Sequence, residues 1–377
     1  MRIKLLLTIL TLFVGACMYA QVTTASVNGL VTDDKGAPLP GVTVVATHTP
    51  SGAQYGTTTR ADGRYNLPNL RVGGPYSVEF SFLGFAAQTN DGINLALAQK
   101  LPLNTSLKEE GIELEGVTVT AERNSILNNE RTGAETNIST ETIENLPTIS
   151  RSASDYTRLT PTSDGNSFAG RNDQFNNFSL DGSIFNNPFG LDAATPGGQS
   201  NAQPVSLDAI EQITVSVAPY DVTQSGFTGA AINAVTKSGT NKLRGSIFGF
   251  YRNQDLTGGK VAGDEIVVPD LDQYQAGFTL GGPIVKDRVF FFLNAEIDNR
   301  EDLGTTFIAN NADRSGQNVS RVEEADLIAV RDALMGLGYD PGLYEGYLHQ
   351  TNSLKGLAKL DFNINTNNSL TLTYNFL

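Results

Sequence analysis

The feature that most constrains this chain is a period-two alternation of apolar and polar residues through residues 242–377. Tyr274, Ala276, Phe278 and Leu280 alternate with Gln273, Gln275 and Thr279, and Ala358, Leu360, Phe362 and Ile364 alternate with Lys359, Asp361 and Asn363. After a short turn over residues 365–368, Leu370, Leu372, Tyr374 and Phe376 alternate with Thr371, Thr373 and Asn375. Successive strand residues point to opposite faces, so each run has one apolar face and one polar face. Such segments, each about ten residues long, are what the strands of a membrane barrel require. No segment after the N-terminus has the roughly 20 uninterrupted apolar residues of a membrane helix. Only helices and closed barrels satisfy their backbone in lipid, so a membrane role for this chain is a barrel role. The mostly polar stretch from Asp298 to Gln350 reads as a large external loop, with a helix over Val322 to Leu337.

The N-terminus reads as a secretory signal over residues 1–20. Arg2 and Lys4 supply the charge, Leu5 to Val14 the apolar stretch, and Ala16 to Ala20 the small residues before a cut at Gln21. Val14-Gly15-Ala16-Cys17 offers a second reading as a lipoprotein cleavage box. Cys17 is the sole cysteine, so a mature chain cut at Gln21 has neither disulfides nor thiolate ligands. With 26 Lys+Arg against 40 Asp+Glu, the net charge of −14 argues against a nucleic-acid partner, because phosphate recognition needs clustered positive charge.

Residues 24–108 read as a β-sandwich: short β-branched runs at Val27–Val31 and Val42–Ala46 flank the turn residues Asp33 to Pro38, with further strands at 63–67, 76–82 and 101–107. Gly29-Leu30-Val31-x-Asp33-x-x-Gly36-x-Pro38-Leu39-Pro40-Gly41-Val42, followed by Thr59-x-Ala61-Asp62-Gly63-x-Tyr65-x-Leu67, resembles the carboxypeptidase regulatory-like family. That name carries no peptidase activity here. A zinc peptidase needs His and carboxylate ligands, and the two histidines, His48 and His349, read as surface residues outside any His-x-x-Glu motif. No catalytic residue, metal ligand or cofactor is expected.

Residues 109–122 form a linker ending in Val117-Thr118-Val119-Thr120-Ala121, an extended segment suited to pairing with the edge of a partner sheet. Residues 123–241 are rich in Asn and Gly. Within them Ile138–Leu146 reads as a helix capped by Ser139 or Thr140 and ended by Pro147, and Leu207–Val215 as a helical turn leading into a strand. Three pieces of this segment, Ser179-Leu180-Asp181-Gly182, Leu207–Val215 and Gly229 to Asn241, resemble the plug of TonB-dependent receptors. Gly281 to Phe292, with Gly245 to Asn253, resembles the start of the barrel in the Oar-like branch of that family.

The resemblance implies a mainly β protein: an N-terminal β-sandwich, an α+β plug domain over 123–241, and the first strands of an incomplete transmembrane barrel over 242–377. It further implies an outer-membrane location with the sandwich on the periplasmic side, and active uptake of an unidentified external ligand. Energy would come from TonB of the inner-membrane complex, with Val117, Thr118, Val119, Thr120 and Ala121 as the contact box. The remaining partner is outer-membrane lipid. Barrels of this class have about 22 strands, and residues 242–377 read as about five, so the chain is expected to be the N-terminal portion of a longer protein. The competing function is a surface or export component that uses the same barrel without importing a nutrient.

Overall fold

The computed structural model describes residues 23–109, 134–187, 195–200, 202–217, 226–366 and 368–377. The signal segment with Cys17, and the contact box Val117 to Ala121, lie outside the described residues. The fold is mainly β, in three successive assemblies.

The first is a sandwich of two four-stranded sheets. Strands β1 (Ala25–Thr32), β4 (Arg64–Leu70), β7 (Lys100–Pro102) and β8 (Thr105–Ser106) form one sheet, with β1 antiparallel to β4 and parallel to β7 and β8. Strands β2 (Thr43–His48), β3 (Ala53–Thr58), β5 (Gly73–Ser81) and β6 (Gln88–Leu95) form the other, in the order β3-β2-β5-β6. Alternate residues face inward: Val44, Ala46 and His48 from β2 meet Tyr76, Val78 and Phe80 from β5 in a closed apolar core. His48 is therefore buried, which corrects the expectation of a surface residue. As an inward member of β2 its ring lies 4.9 Å from that of Tyr76, and Nδ1 lies 2.7 Å from Ser51 Oγ. His349 is exposed, as expected.

The second assembly is a five-stranded mixed sheet in the order β11-β10-β13-β12-β9, built from β9 (Ala134–Ile138), β10 (Asn177–Leu180), β11 (Ser183–Ile184), β12 (Ile210–Val217) and β13 (Ala230–Thr236). Helix α1 (Thr140–Asn145) follows β9, capped by Ser139, whose side chain accepts from the Thr142 amide. A 3₁₀ turn over Leu207–Ala209 leads into β12.

The third is an antiparallel sheet of five strands paired in chain order: β14 (Arg244–Asn253), β15 (Leu271–Val285), β16 (Val289–Leu303), β17 (Leu348–Asn365) and β18 (Asn368–Phe376). The five strands match the number read from period-two patterning. The polar connection after β16 is shorter than that patterning implied, because β16 runs on to Leu303 and β17 begins at Leu348. Charged and amide residues at inward positions keep the alternation going past the apolar stretch. The connection holds helix α2 (Glu324–Gly336), none of whose residues is buried. Among the described residues no helix is long and apolar enough to cross a membrane.

Candidate functional site: the charged seam beneath the central sheet

The long-strand sheet is patterned inside-out relative to a soluble protein. Its apolar face is bare: Ile247, Phe278, Leu293, Ile297, Leu354, Leu372 and Tyr374 are all exposed. Its polar face is covered, and Gln275, Asn294, Glu296, Asp298, Lys355, Lys359 and Asp361 are all buried. The second assembly, the central sheet, covers it through Ser206, Thr236 and Asp181, and the sandwich reaches Asp361 through Arg71.

Three charged clusters run along this seam. The first joins neighbouring strands: Glu296 and Lys355 are directly paired in register, and Lys355 Nζ donates to Glu296 Oε1 at 2.8 Å. Asp298 Oδ2 lies 3.9 Å from the same ammonium, and its carboxylate accepts from Gln273 Nε2 at 3.0 Å and Gln275 Nε2 at 2.9 Å. Ser206, just before β12, donates its hydroxyl to Glu296 Oε2. Every charge here has both an opposite charge or a donor beside it, as burial of ions demands.

The second cluster is built by the Ser179–Gly182 motif. Leu180 pairs with Ser183, so Asp181 and Gly182 are a two-residue hairpin loop, and their φ values of 47° and 81° are those of a type I′ turn. Asp favours this left-handed position over most residues, and Gly follows it without strain. The turn aims the Asp181 carboxylate at the end of β13, where it accepts from the Thr236 amide at 2.9 Å and the Thr236 hydroxyl at 2.6 Å. Lys359 Nζ reaches in from β17, donating to Thr236 O at 3.1 Å and to Thr236 Oγ1 at 3.0 Å, with Asp181 Oδ1 3.5 Å away. Nearby, Gly239 lets the chain pass against the long-strand sheet, the wall of this seam. A Cβ there would stand 2.4 Å from Phe291 O and 2.7 Å from Gly282 O, both backbone atoms.

The third cluster lies between α1 and β14. Arg151 places its guanidinium 3.7 Å above the Phe250 ring and 5.4 Å from Phe248, and forms a close ion pair with Asp208. Burial pushes the Asp208 carboxyl above its ordinary pKa, against the opposing pull of Arg151. Arg252 donates to Ile149 O at 3.1 Å. An open groove of about 470 Å³ runs beside these residues, lined also by Pro147, Tyr251 and Gln273.

Sequence reasoning recognised the Ser179–Gly182 and Gly229–Asn241 segments and the polar face carrying Lys359 and Asp361. It missed Glu296, Lys355, Ser206 and Arg151. The signal for the first two was present, since charges at inward positions of a period-two strand need partners, but the partners are set by register.

Two family models match this chain. One, described as a carboxypeptidase regulatory-like domain, covers residues 26–108, and the other, described as an outer membrane beta barrel domain, covers residues 235–341. The TonB-dependent transporter Oar of Myxococcus xanthus is 26% identical over 389 residues, which cover 97% of this chain and 34% of that protein. The chain is a homologue of a TonB-dependent transporter. It spans about a third of the length of that curated relative. Among solved structures, the siderophore receptor PirA from Acinetobacter baumannii aligns over 64% of this chain and 31% of its own, with 18% identity and a TM-score of 0.43. The outer membrane transporter YddB from Escherichia coli aligns over 64% of this chain and 33% of its own, with 13% identity and a TM-score of 0.40. The barrel-domain match and the relationship to a TonB-dependent transporter place the chain in the outer membrane.

Proposed function

We propose that this chain forms the periplasmic sandwich (24–108), the linker (109–122), the plug (123–241) and the first barrel strands (242–377) of a TonB-dependent receptor that takes up an external ligand. The carrying observation is the inside-out long-strand sheet, read together with its register. On the exposed face, Asn253, Asp272, Glu301 and Gln350 stand in one row across four strands, and Tyr251, Tyr274, Asn299 and Asn352 stand in the next. Gly249, Ala276, Ile297 and Leu354 follow, and from there the face stays apolar. Polar groups, then tyrosines, then aliphatic residues is the sequence of a membrane interface. The apolar positions of β17 run from Leu354 to Ile364. Ten residues at about 3.3 Å each span about 33 Å along the strand, or about 25 Å along the membrane normal at a tilt of about 40°. That is the height of the apolar band of an outer-membrane barrel.

Orientation follows from the connections. The short turns, at Lys286–Arg288 and between Asn365 and Asn368, lie at one end of the sheet, and the long connections over 254–270 and 304–347 lie at the other. Barrels of this kind keep short turns in the periplasm and long loops outside. The sandwich contacts the short-turn end through Pro50 and Arg71, so in this reading it is periplasmic.

In this reading Val117, Thr118, Val119, Thr120 and Ala121 add a strand to TonB, and force on that strand rearranges the plug against the charged seam. The test uses the full-length receptor in detergent and the purified periplasmic domain of TonB. Deleting Val117–Ala121 abolishes their binding while leaving the far-ultraviolet circular dichroism unchanged. Undiminished binding of the deletion variant would remove the box assignment.

A further inference from the structure

We infer that the N-terminal sandwich is a clamp on the central sheet, which must let go before that sheet can move against the wall. The inference rests on the receptor reading for its consequence, and on three sets of contacts for its geometry.

The first set grips β12. The β12–β13 ladder shifts register between Ile210 and Gln212, leaving Glu211 as an extra residue. Such a bulge re-aims the neighbouring side chain, and that of Gln212 reaches out of its own sheet to the sandwich. Its Oε1 accepts from the Leu97 amide at 2.8 Å and its Nε2 donates to Leu95 O at 3.3 Å. Asn137 on β9 donates to Leu97 O at 3.3 Å, and Val72, Leu97 and Val235 close a small buried apolar cluster around the joint. The side-chain carboxamide of Gln212 thus pairs with main-chain groups of Leu95, at the end of β6, and Leu97 just beyond it, while its backbone stays paired with Val235.

The second set fixes the sandwich to the wall. Arg71 Nη2 donates to Asp361 Oδ2 at 2.9 Å, with the Asp361 side chain 8% exposed, and Thr371 donates to Asp361 Oδ1 at 2.9 Å. The third set lies where the chain passes from the central sheet to β14. The Asn241 amide donates to Pro50 O at 2.8 Å, while its carboxamide exchanges two hydrogen bonds with Asp287 in the β15–β16 turn. One rigid sandwich therefore holds the central sheet through Gln212 and the wall through Arg71 and Pro50. Sliding of β12 along the wall stretches both grips, so the sandwich opposes it.

The geometry supplies its own lock. A Cβ built on Gly52 stands 3.4 Å from Asp287 Cβ, just under the separation of about 3.5–4.5 Å that a disulfide spans. Both positions hold a positive φ, 66° and 63°, and Asp287→Cys removes one Asn241 partner, costs that the oxidised and reduced forms share. The experiment is hydrogen exchange of the β12 and β13 amides in the full-length receptor in detergent, with Gly52→Cys and Asp287→Cys combined. The same protein is compared oxidised and reduced, which cancels any effect of the substitutions themselves. Oxidation slows exchange in Ile213–Val217 and Ala231–Val235, and reduction restores it. Combining Gln212→Ala with Arg71→Ala accelerates exchange at the same amides about tenfold or more, as expected for the loss of several net-favourable hydrogen bonds. Exchange unchanged by both the lock and the release overturns the clamp. Fractionation of every variant with the outer membrane, and binding to the TonB domain, report separately on the receptor reading. If those fail while exchange responds, the clamp stands and the receptor reading falls.

Discussion

Replacing Lys355 by Met isolates the energetic core of the seam. The Lys355 side chain is 2% exposed and that of Glu296 5%. Methionine fills the same volume without the charge, so the substitution leaves two buried carboxylates with no cation beside them. Removing one partner of a buried ion pair costs about 3–5 kcal/mol. The lower end applies here, because Asp298 keeps two amide donors and Glu296 keeps the Ser206 hydroxyl. With a urea slope of about 1–3 kcal/mol per molar, a loss of about 3 kcal/mol lowers the unfolding midpoint by about 1–3 M. The assay is pulse proteolysis of the full-length receptor across a urea series, following cleavage between β12 and β17. Adding Glu296→Gln to Lys355→Met removes the more closely paired of the two orphaned charges, leaving Asp298 to its two amide donors, and keeps an acceptor for Ser206. It should recover most of the loss, giving a coupling of about 2 kcal/mol in the double-mutant cycle. A Lys355→Met midpoint within about 0.3 M of wild type, or a double variant no better than the single, would refute the argument that this seam is dry and charge-balanced.

Two further predictions concern other parts of the chain. Burial, with the Arg71 charge added, pushes the His48 pKa down to about 3 from 6.5. The folded sandwich thus binds fewer protons than the unfolded chain below pH 6.5, and the stability due to neutral His48 is complete above that pH and lost progressively as pH falls toward 3. At pH 5 the loss is about 2 kcal/mol, and His48→Gln should flatten that part of an acid titration followed by circular dichroism. On the bare face, Leu293→Arg sits among Leu280 and Ala358 near the middle of the apolar band and should cost about 2–4 kcal/mol on folding into lipid vesicles, whereas Asn299→Arg at the tyrosine row costs about 0–1 kcal/mol. Equal costs at the two depths would contradict the proposed placement of the bilayer.

Much of the architecture was legible in the residues because it depends on local rules. Alternation alone separates the two faces of β15, β17 and β18, so five long strands and their lipid-like face follow from reading along the chain. The helix after β9 announced itself through Ser139 and Pro147. The buried state of His48 was less visible. A histidine in a β-branched run reads equally well on either face, and only the phase of β2 against β5 turns it inward.

The sequence by itself determined which residues share a face and where the chain turns, since both follow from backbone geometry over a few neighbouring positions. The tertiary structure alone decided that Glu296 meets Lys355, that Asp181 meets Lys359, and that Gln212 crosses into the sandwich. Those contacts join residues far apart in the chain, through strand register and the stacking of one sheet on another. A buried charge needs a partner, but nothing in its immediate neighbours says which distant strand will bring it.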